Sequence, residues 1–150
     1  MVKILIKKLD KNIKIPEYKT KGSSGMDLIA NIKKSISMHP GVTNIIPTGI
    51  SVSIPEKYEI QIRPRSGLSA KNSITVLNTP GTIDSDYRGE IKVILINLGN
   101  KEFQINPNDR IAQMVLCPIE KIEFEETELL EETKRGTGGF GSTGIKDKWS

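Results

Sequence analysis

The 150-residue sequence holds one cysteine and one histidine. Cys117 has no partner for an internal disulfide, which fits a reducing interior. Two such residues cannot supply the paired ligand spacing of a zinc site. A nucleophilic pair of Cys117 and His39 is also disfavoured, because Cys117 lies in an apolar strand pattern and His39 in a turn. Aromatic residues make up only 5% of the chain. The seven lysines of residues 1–21 therefore stand without the interleaved rings of a nucleic-acid interface, and no nucleic-acid partner is expected. No apolar run approaches the roughly 20 residues that span a membrane. The N-terminal stretch MVKILIKKLDK is too short and too interrupted for a signal peptide, so no membrane association is expected. There is no Walker-type phosphate loop.

Isoleucine, by contrast, is abundant, with 23 copies, and β-branched residues favour strands. In GISVSIP, Ile50, Val52 and Ile54 alternate with serines. In YEIQIRP, Tyr58, Ile60 and Ile62 alternate with Glu59, Gln61 and Arg63. EIKVILINL turns apolar on both faces, as a buried strand does. IAQMVLCPI and KIEFEET read as two further strands, and GLSAKNS (67–73) as one short helix. Turn formers stand between them, at His39-Pro40-Gly41, Pro55-Glu56-Lys57, Leu98-Gly99-Asn100 and Asn106-Pro107-Asn108-Asp109. Many short strands at this spacing predict an all-β fold, a barrel or a double sheet. One domain is expected over 1–126. An arm follows over 127–150, where glutamates give way to RGTGGFGSTG (135–144). Net charge is +4, but seven glutamates fall within residues 120–132, opposite in sign to the lysine-rich N-terminus.

Three polar islands interrupt the strand pattern. SGMDLIA (24–30) puts Asp27 just after a glycine turn. RPRSGLS (63–69) gathers Arg65, Ser66 and Gly67 ahead of the helix, a donor set suited to phosphate. NTPGTIDSDYRGEI (78–91) follows a Pro80-Gly81 turn with Asp84, Asp86 and Tyr87. RIAQM (110–114) and the glycine-rich tail complete the set.

These five segments, in this order and spacing from Ser24 to Gly144, resemble the five motifs of the trimeric deoxyuridine triphosphatases. Ser24 stands where that family usually has alanine. The resemblance implies a jelly-roll-like β-barrel with one short helix and a flexible C-terminal arm. It implies hydrolysis of dUTP to dUMP and pyrophosphate, with Mg²⁺ held mainly by substrate phosphates and water rather than by protein ligands. It implies a homotrimer whose sites are shared between chains.

Residue by residue, Asp84 matches the catalytic base, and Asp86 a structural neighbour. Arg65, Ser66, Gly67 and Gln113 match phosphate contacts. Asp27 would order waters or a neighbouring arginine from behind the substrate. Asn78 and the main chain of Gly81, Thr82 and Ile83 would read uracil in a β-hairpin, and Lys92 would contribute main chain on its return arm. Tyr87 would lie under the deoxyribose and exclude a 2′-hydroxyl. In the arm, Phe140 would stack on the uracil and Arg135 reach the γ-phosphate, with Gly141, Ser142 and Thr143 adding close main chain and donors. The expected location is the cytoplasm, with a nuclear or virus-encoded enzyme as alternatives. Two rivals remain at this point. A deoxycytidine triphosphate deaminase would share the fold but need a proton-shuttling glutamate. A regulator of the same fold would depend on binding rather than turnover.

Overall fold

In the structure, a computed structural model describing residues 1–140, eleven strands and one helix follow one another. They are β1 Leu5–Lys8, β2 Met26–Ile29, β3 Ile36–Met38, β4 Thr43–Pro47, β5 Ile50–Ser53, β6 Tyr58–Arg63, α1 Ser66–Asn72, β7 Ile74–Val76, β8 Gly81–Ile83, β9 Lys92–Asn97, β10 Phe103–Ile105 and β11 Arg110–Pro118. All pairings are antiparallel. Among the described residues they form four sheets, ordered β2-β11-β6-β8, β4-β9-β7, β1-β5 and β3-β10.

The fold is all-β and jelly-roll-like, but the strands do not close into one barrel as expected. Most are three to six residues long. Prolines at 55 and 64 interrupt the chain on either side of β6, and a register shift between Arg110 and Ala112 bends β11. Each ladder therefore ends before it can meet the next.

Between the sheets lies one apolar core. Leu28, Met38, Ile46, Ile50, Ile74, Ile91, Leu95, Ile105 and Ile111 are almost completely buried. Alternation predicts this well where one face is solvated: Ile60 and Ile62 of β6 are buried, while Glu59, Gln61 and Arg63 are half-buried. In β9, Val93 and Leu95 point inward and Ile94 and Ile96 stay half-buried. The buried side chain of Asn97 donates to Met38 O and Lys101 O, both at 2.8 Å, and accepts from Gly99 N–H at 2.9 Å. It thus ties β3, β9 and the turn after β9 together with every polar atom satisfied.

KIEFEET is not a strand here. Residues 121–130 are all exposed, and Ile122 and Phe124 retain 75% and 89% of their accessible surface. The alternation is real, but a strand also needs a partner, and among the described residues none is paired with this segment. Compact structure ends at Glu120, and Lys121 begins a second unit. Within that unit, Gly136 N–H donates to Thr133 O, Gly138 N–H to Arg135 O, and Arg135 Nε to Gly138 O at 2.8 Å. These bonds fold residues 133–138 into consecutive tight turns. Among the described residues no helix is long and apolar enough to cross a membrane.

Candidate functional site

Strand order decides which polar residues meet. β11 runs between β2 and β6, so Gln113 stands opposite Asp27 on one side and Arg63 on the other. The chain leaves β6 through Pro64 and Arg65 and turns into α1 at Ser66. Arg65 thereby falls beside Asp27. Its Nε donates to Asp27 Oδ1 at 2.9 Å, and its Nη1 to Arg110 O at 3.3 Å. Arg110 Nη1 donates to Asp27 Oδ2 at 3.1 Å. Each carboxylate oxygen of Asp27 thus holds one arginine. Asp27 and Arg65 are largely shielded, at 19% and 26% side-chain exposure, whereas Arg110 is about half exposed. Two cations on one anion leave the cluster one positive charge in excess.

Gln113 Nε2 donates to Pro64 O at 3.0 Å, which fixes the turn that carries Arg65. The amide can lie there only because residue 25 is glycine: a Cβ at Gly25 would stand 2.6 Å from Gln113 Oε1 and 3.2 Å from Met114 O. Ser66 and Gly67 open the helix, both exposed, at the end where helical N–H groups lack intrahelical partners.

A second group lies elsewhere. β8 pairs with β6 through Gly81↔Ile62, Thr82↔Gln61 and Ile83↔Ile60. The segment 84–90 is a loop rather than the second arm of a paired hairpin: β8 is the edge strand of its sheet, and among the described residues nothing pairs with its outer side. Its turn is closed by Tyr87 N–H to Asp84 O at 3.2 Å. The carboxylates of Asp84 and Asp86 are exposed and have no hydrogen-bond partner among the described residues. Glu90 anchors the far end of the loop by accepting from Gly49 N–H at 2.8 Å. Lys92 begins β9, exposed, with Nζ 4.0 Å from Glu90 Oε2. At the near end Gly81 is buried against Asn78, whose Nδ2 would be 3.2 Å from a Cβ at that position. Arg135 and Phe140 lie in the second unit; Phe140 is exposed, with a left-handed φ of 48°. Gly141, Ser142 and Thr143 lie outside the described residues.

Comparison with known proteins now decides the family. The dUTPase family model matches residues 11–144. The chain belongs to the dUTPase family. A deoxyuridine 5'-triphosphate nucleotidohydrolase of Fusobacterium nucleatum is 55% identical over 145 residues, covering 96% of this chain and 99% of that one. One from Rickettsia bellii is 58% identical over 146 residues, covering 97% of each. Among solved structures, a variant of the Staphylococcus bacteriophage 80alpha dUTPase with dUpNHpp superposes with a TM-score of 0.85 at 27% identity, covering 95% of this chain and 99% of that one. A variant dUTPase from phage phi11 of S. aureus, described with a structural Mg(II) ion, gives 0.77 at 25% identity over 87% of this chain and 99% of that one. This dUTPase is accordingly an enzyme that hydrolyses dUTP.

Its geometry also shows which residues the sequence pattern left unmarked. Arg110 opens the RIAQM segment, yet nothing in that stretch announces that it shares Asp27 with Arg65. Gly25 and Gly89 read as ordinary turn glycines until the atoms that crowd them are located.

Proposed function

We propose that water attacks the α-phosphorus of dUTP, releasing pyrophosphate and dUMP, in a site assembled from more than one copy of the chain. The observation that carries this reading is the separation of the two polar groups. In the four-stranded sheet Asp27 and the end of β8 are three strands apart, and Asp84 follows Ile83, which pairs near the opposite end of β6 from Arg65. Three spacings of about 4.8 Å and four residues of about 3.3 Å put Asp84 roughly 19 Å from Asp27. A general base acts within about 3 Å of its water, and the water within about 3.5 Å of the atom attacked. One chain therefore cannot bring both groups to one α-phosphate, whereas a neighbouring copy can supply the second. A homotrimer, with Arg135 and Phe140 arriving from a third chain on the arm of residues 127–150, meets this need.

In this site the exposed carboxylate of Asp84 accepts the proton of the attacking water. As the new P–O bond forms, the bond from the α-phosphorus to the bridging oxygen breaks and its electrons leave with pyrophosphate. Arg65, Ser66, Gly67 and Gln113 hold phosphate oxygens, and Asp27 keeps Arg65 turned toward them. Asn78 and the main chain of Gly81, Thr82 and Ile83 read the uracil edge, Lys92 contributes main chain, and Tyr87 forms the floor under the sugar. Phe140 covers the base, Arg135 binds the γ-phosphate, Gly141 lets main chain approach the ligand, and Ser142 and Thr143 supply further donors. The residues present fit Mg²⁺ as an ion carried on the triphosphate. Arg65, Arg110 and Gln113 present N–H donors, which suit phosphate oxygens, and the Asp27 carboxylate is bonded to two arginines, leaving its outer lone pairs for waters of the ion. When bound, the ion supplies charge neutralisation on the phosphates.

Mixing two crippled chains tests the shared site. A chain truncated after Thr133 and a full-length Asp84→Asn chain are each expected to be nearly inactive. Unfolded and refolded together, they should regain pyrophosphate release, because some assemblies then combine an intact Asp84 with a donated arm. No recovery, in a sample where native mass spectrometry shows mixed oligomers, would refute the reading.

A further inference from the structure

Two residues beyond Tyr87 in the loop after β8 stands Gly89, and its surroundings are unusual. A Cβ built there would lie 2.3 Å from Tyr87 Oη, 2.5 Å from Cζ and 2.9 Å from Cε2. These are not ordinary contacts, since non-bonded carbon atoms prefer about 3.5–4.0 Å. The phenol ring therefore lies flat on the bare backbone of residue 89. Its hydroxyl then reaches past Gly89 to donate to Glu90 O at 3.0 Å. Glu90 is itself fixed, through its own carboxylate, to Gly49 N–H at 2.8 Å. So the ring is held at two places, by a face that only glycine can offer and by a carbonyl anchored to the β4–β5 turn. The loop itself lies outside any ladder, and Tyr87 is 43% exposed.

We propose that Gly89 is a positioning residue for sugar discrimination, setting the height at which the Tyr87 ring lies and so the space left beside the 2′ carbon of the substrate. The inference rests on the reading of Tyr87 as the floor under the deoxyribose. Any side chain at residue 89 lifts the ring off its seat. Because the ring is the exposed far end of a side chain, it swings rather than unfolding the loop. A displaced ring breaks the bond to Glu90 O and no longer defines a wall against a 2′-hydroxyl.

The test compares kcat/KM for dUTP and UTP in wild type, Gly89→Ala, Tyr87→Ala and the double variant. Both substrates carry the same base and triphosphate, so general damage to the loop cancels in their ratio. Gly89→Ala should lower the preference for dUTP by at least about tenfold, the scale of a misfitted small group in a packed site. The ratio of dUTP to dCTP hydrolysis should stay unchanged, because the base-reading residues 78–83 are not touched. If Gly89 acts only through the ring, adding Gly89→Ala to Tyr87→Ala should change the dUTP/UTP ratio no further. An unchanged ratio in Gly89→Ala beside a relaxed one in Tyr87→Ala overturns the role of Gly89 and leaves that of Tyr87 standing. An unchanged ratio in both overturns both. A further loss in the double variant shows that Gly89 acts by another route and also refutes the proposal. Should Gly89→Ala alone fail to fold, Tyr87→Phe removes the hydroxyl bond to Glu90 O and must by itself lower the ratio; a wild-type ratio there refutes the seating argument.

Discussion

Replacing Asp27 by asparagine removes one charge and almost no volume, and the structure lets its effects be weighed. The Arg65–Asp27 bond is charge-assisted and three-quarters shielded, so making its acceptor neutral should cost about 1–2 kcal/mol. The Arg110 bond is half exposed and screened, and its loss should cost less than about 1 kcal/mol. Together these predict a melting temperature lower by about 3–10 °C for a chain of this size. On catalysis two effects oppose each other. Removing a negative charge beside a triphosphate site should by itself improve binding. Releasing the Arg65 guanidinium means that substrate must order it, which costs about 0.5–1.5 kcal/mol. Desolvated anchoring should outweigh a screened repulsion, so kcat/KM for dUTP should fall about three- to tenfold, mainly through KM. Steady-state pyrophosphate release and thermal unfolding measure both quantities. A KM for dUTP below that of the wild type would show repulsion to be dominant and would refute the positioning argument.

Asp84→Asn should still bind a non-hydrolysable dUTP analogue in calorimetry while hydrolysis falls by about 10²–10⁴-fold; wild-type turnover would remove Asp84 from the role of base. Gly25→Ala should drive Gln113 from Pro64 O, since its Cβ would meet Oε1 at 2.6 Å, and kcat/KM should drop at least about fivefold with the fold retained by circular dichroism. Asn97→Ala takes this partner from one buried carbonyl, Met38 O, and from a part-buried carbonyl and N–H that water can reach, and denaturant unfolding should report a loss of about 2 kcal/mol.

The chemistry of this chain was more legible in its sequence than its architecture, for a physical reason. The segments RPRSGLS, IDSDYRGE and RIAQM are each legible within a few residues, because the phosphate contact or base proposed for them needs only local main-chain geometry and one side chain. Strand identity is legible for the same reason: alternation in YEIQIR is a local property, and β6 lies where it predicts. Pairing is not local. Nothing in MDLI or RIAQM says that β11 separates β2 from β6, and it is that order which brings Arg110 and Arg65 to the two oxygens of one carboxylate. Barrel closure fails to follow from strand count because closure depends on ladder length, and three-residue strands such as ISM and FQI cannot extend a ladder far.

KIEFEET shows the limit from the other side. Its alternation is as regular as that of β6, yet its isoleucine and phenylalanine stand in solvent, since periodicity announces a face to be covered and says nothing of the edge that must cover it. The spacing of Asp27 and Asp84 obeys the same logic. Each motif is legible by itself, and it is the ladder that supports the proposal that they serve one phosphate only across chains. Where a motif's residues are local but the proposed reaction needs several motifs at one point, sequence names the parts, and strand order bears on whether one chain can bring them together.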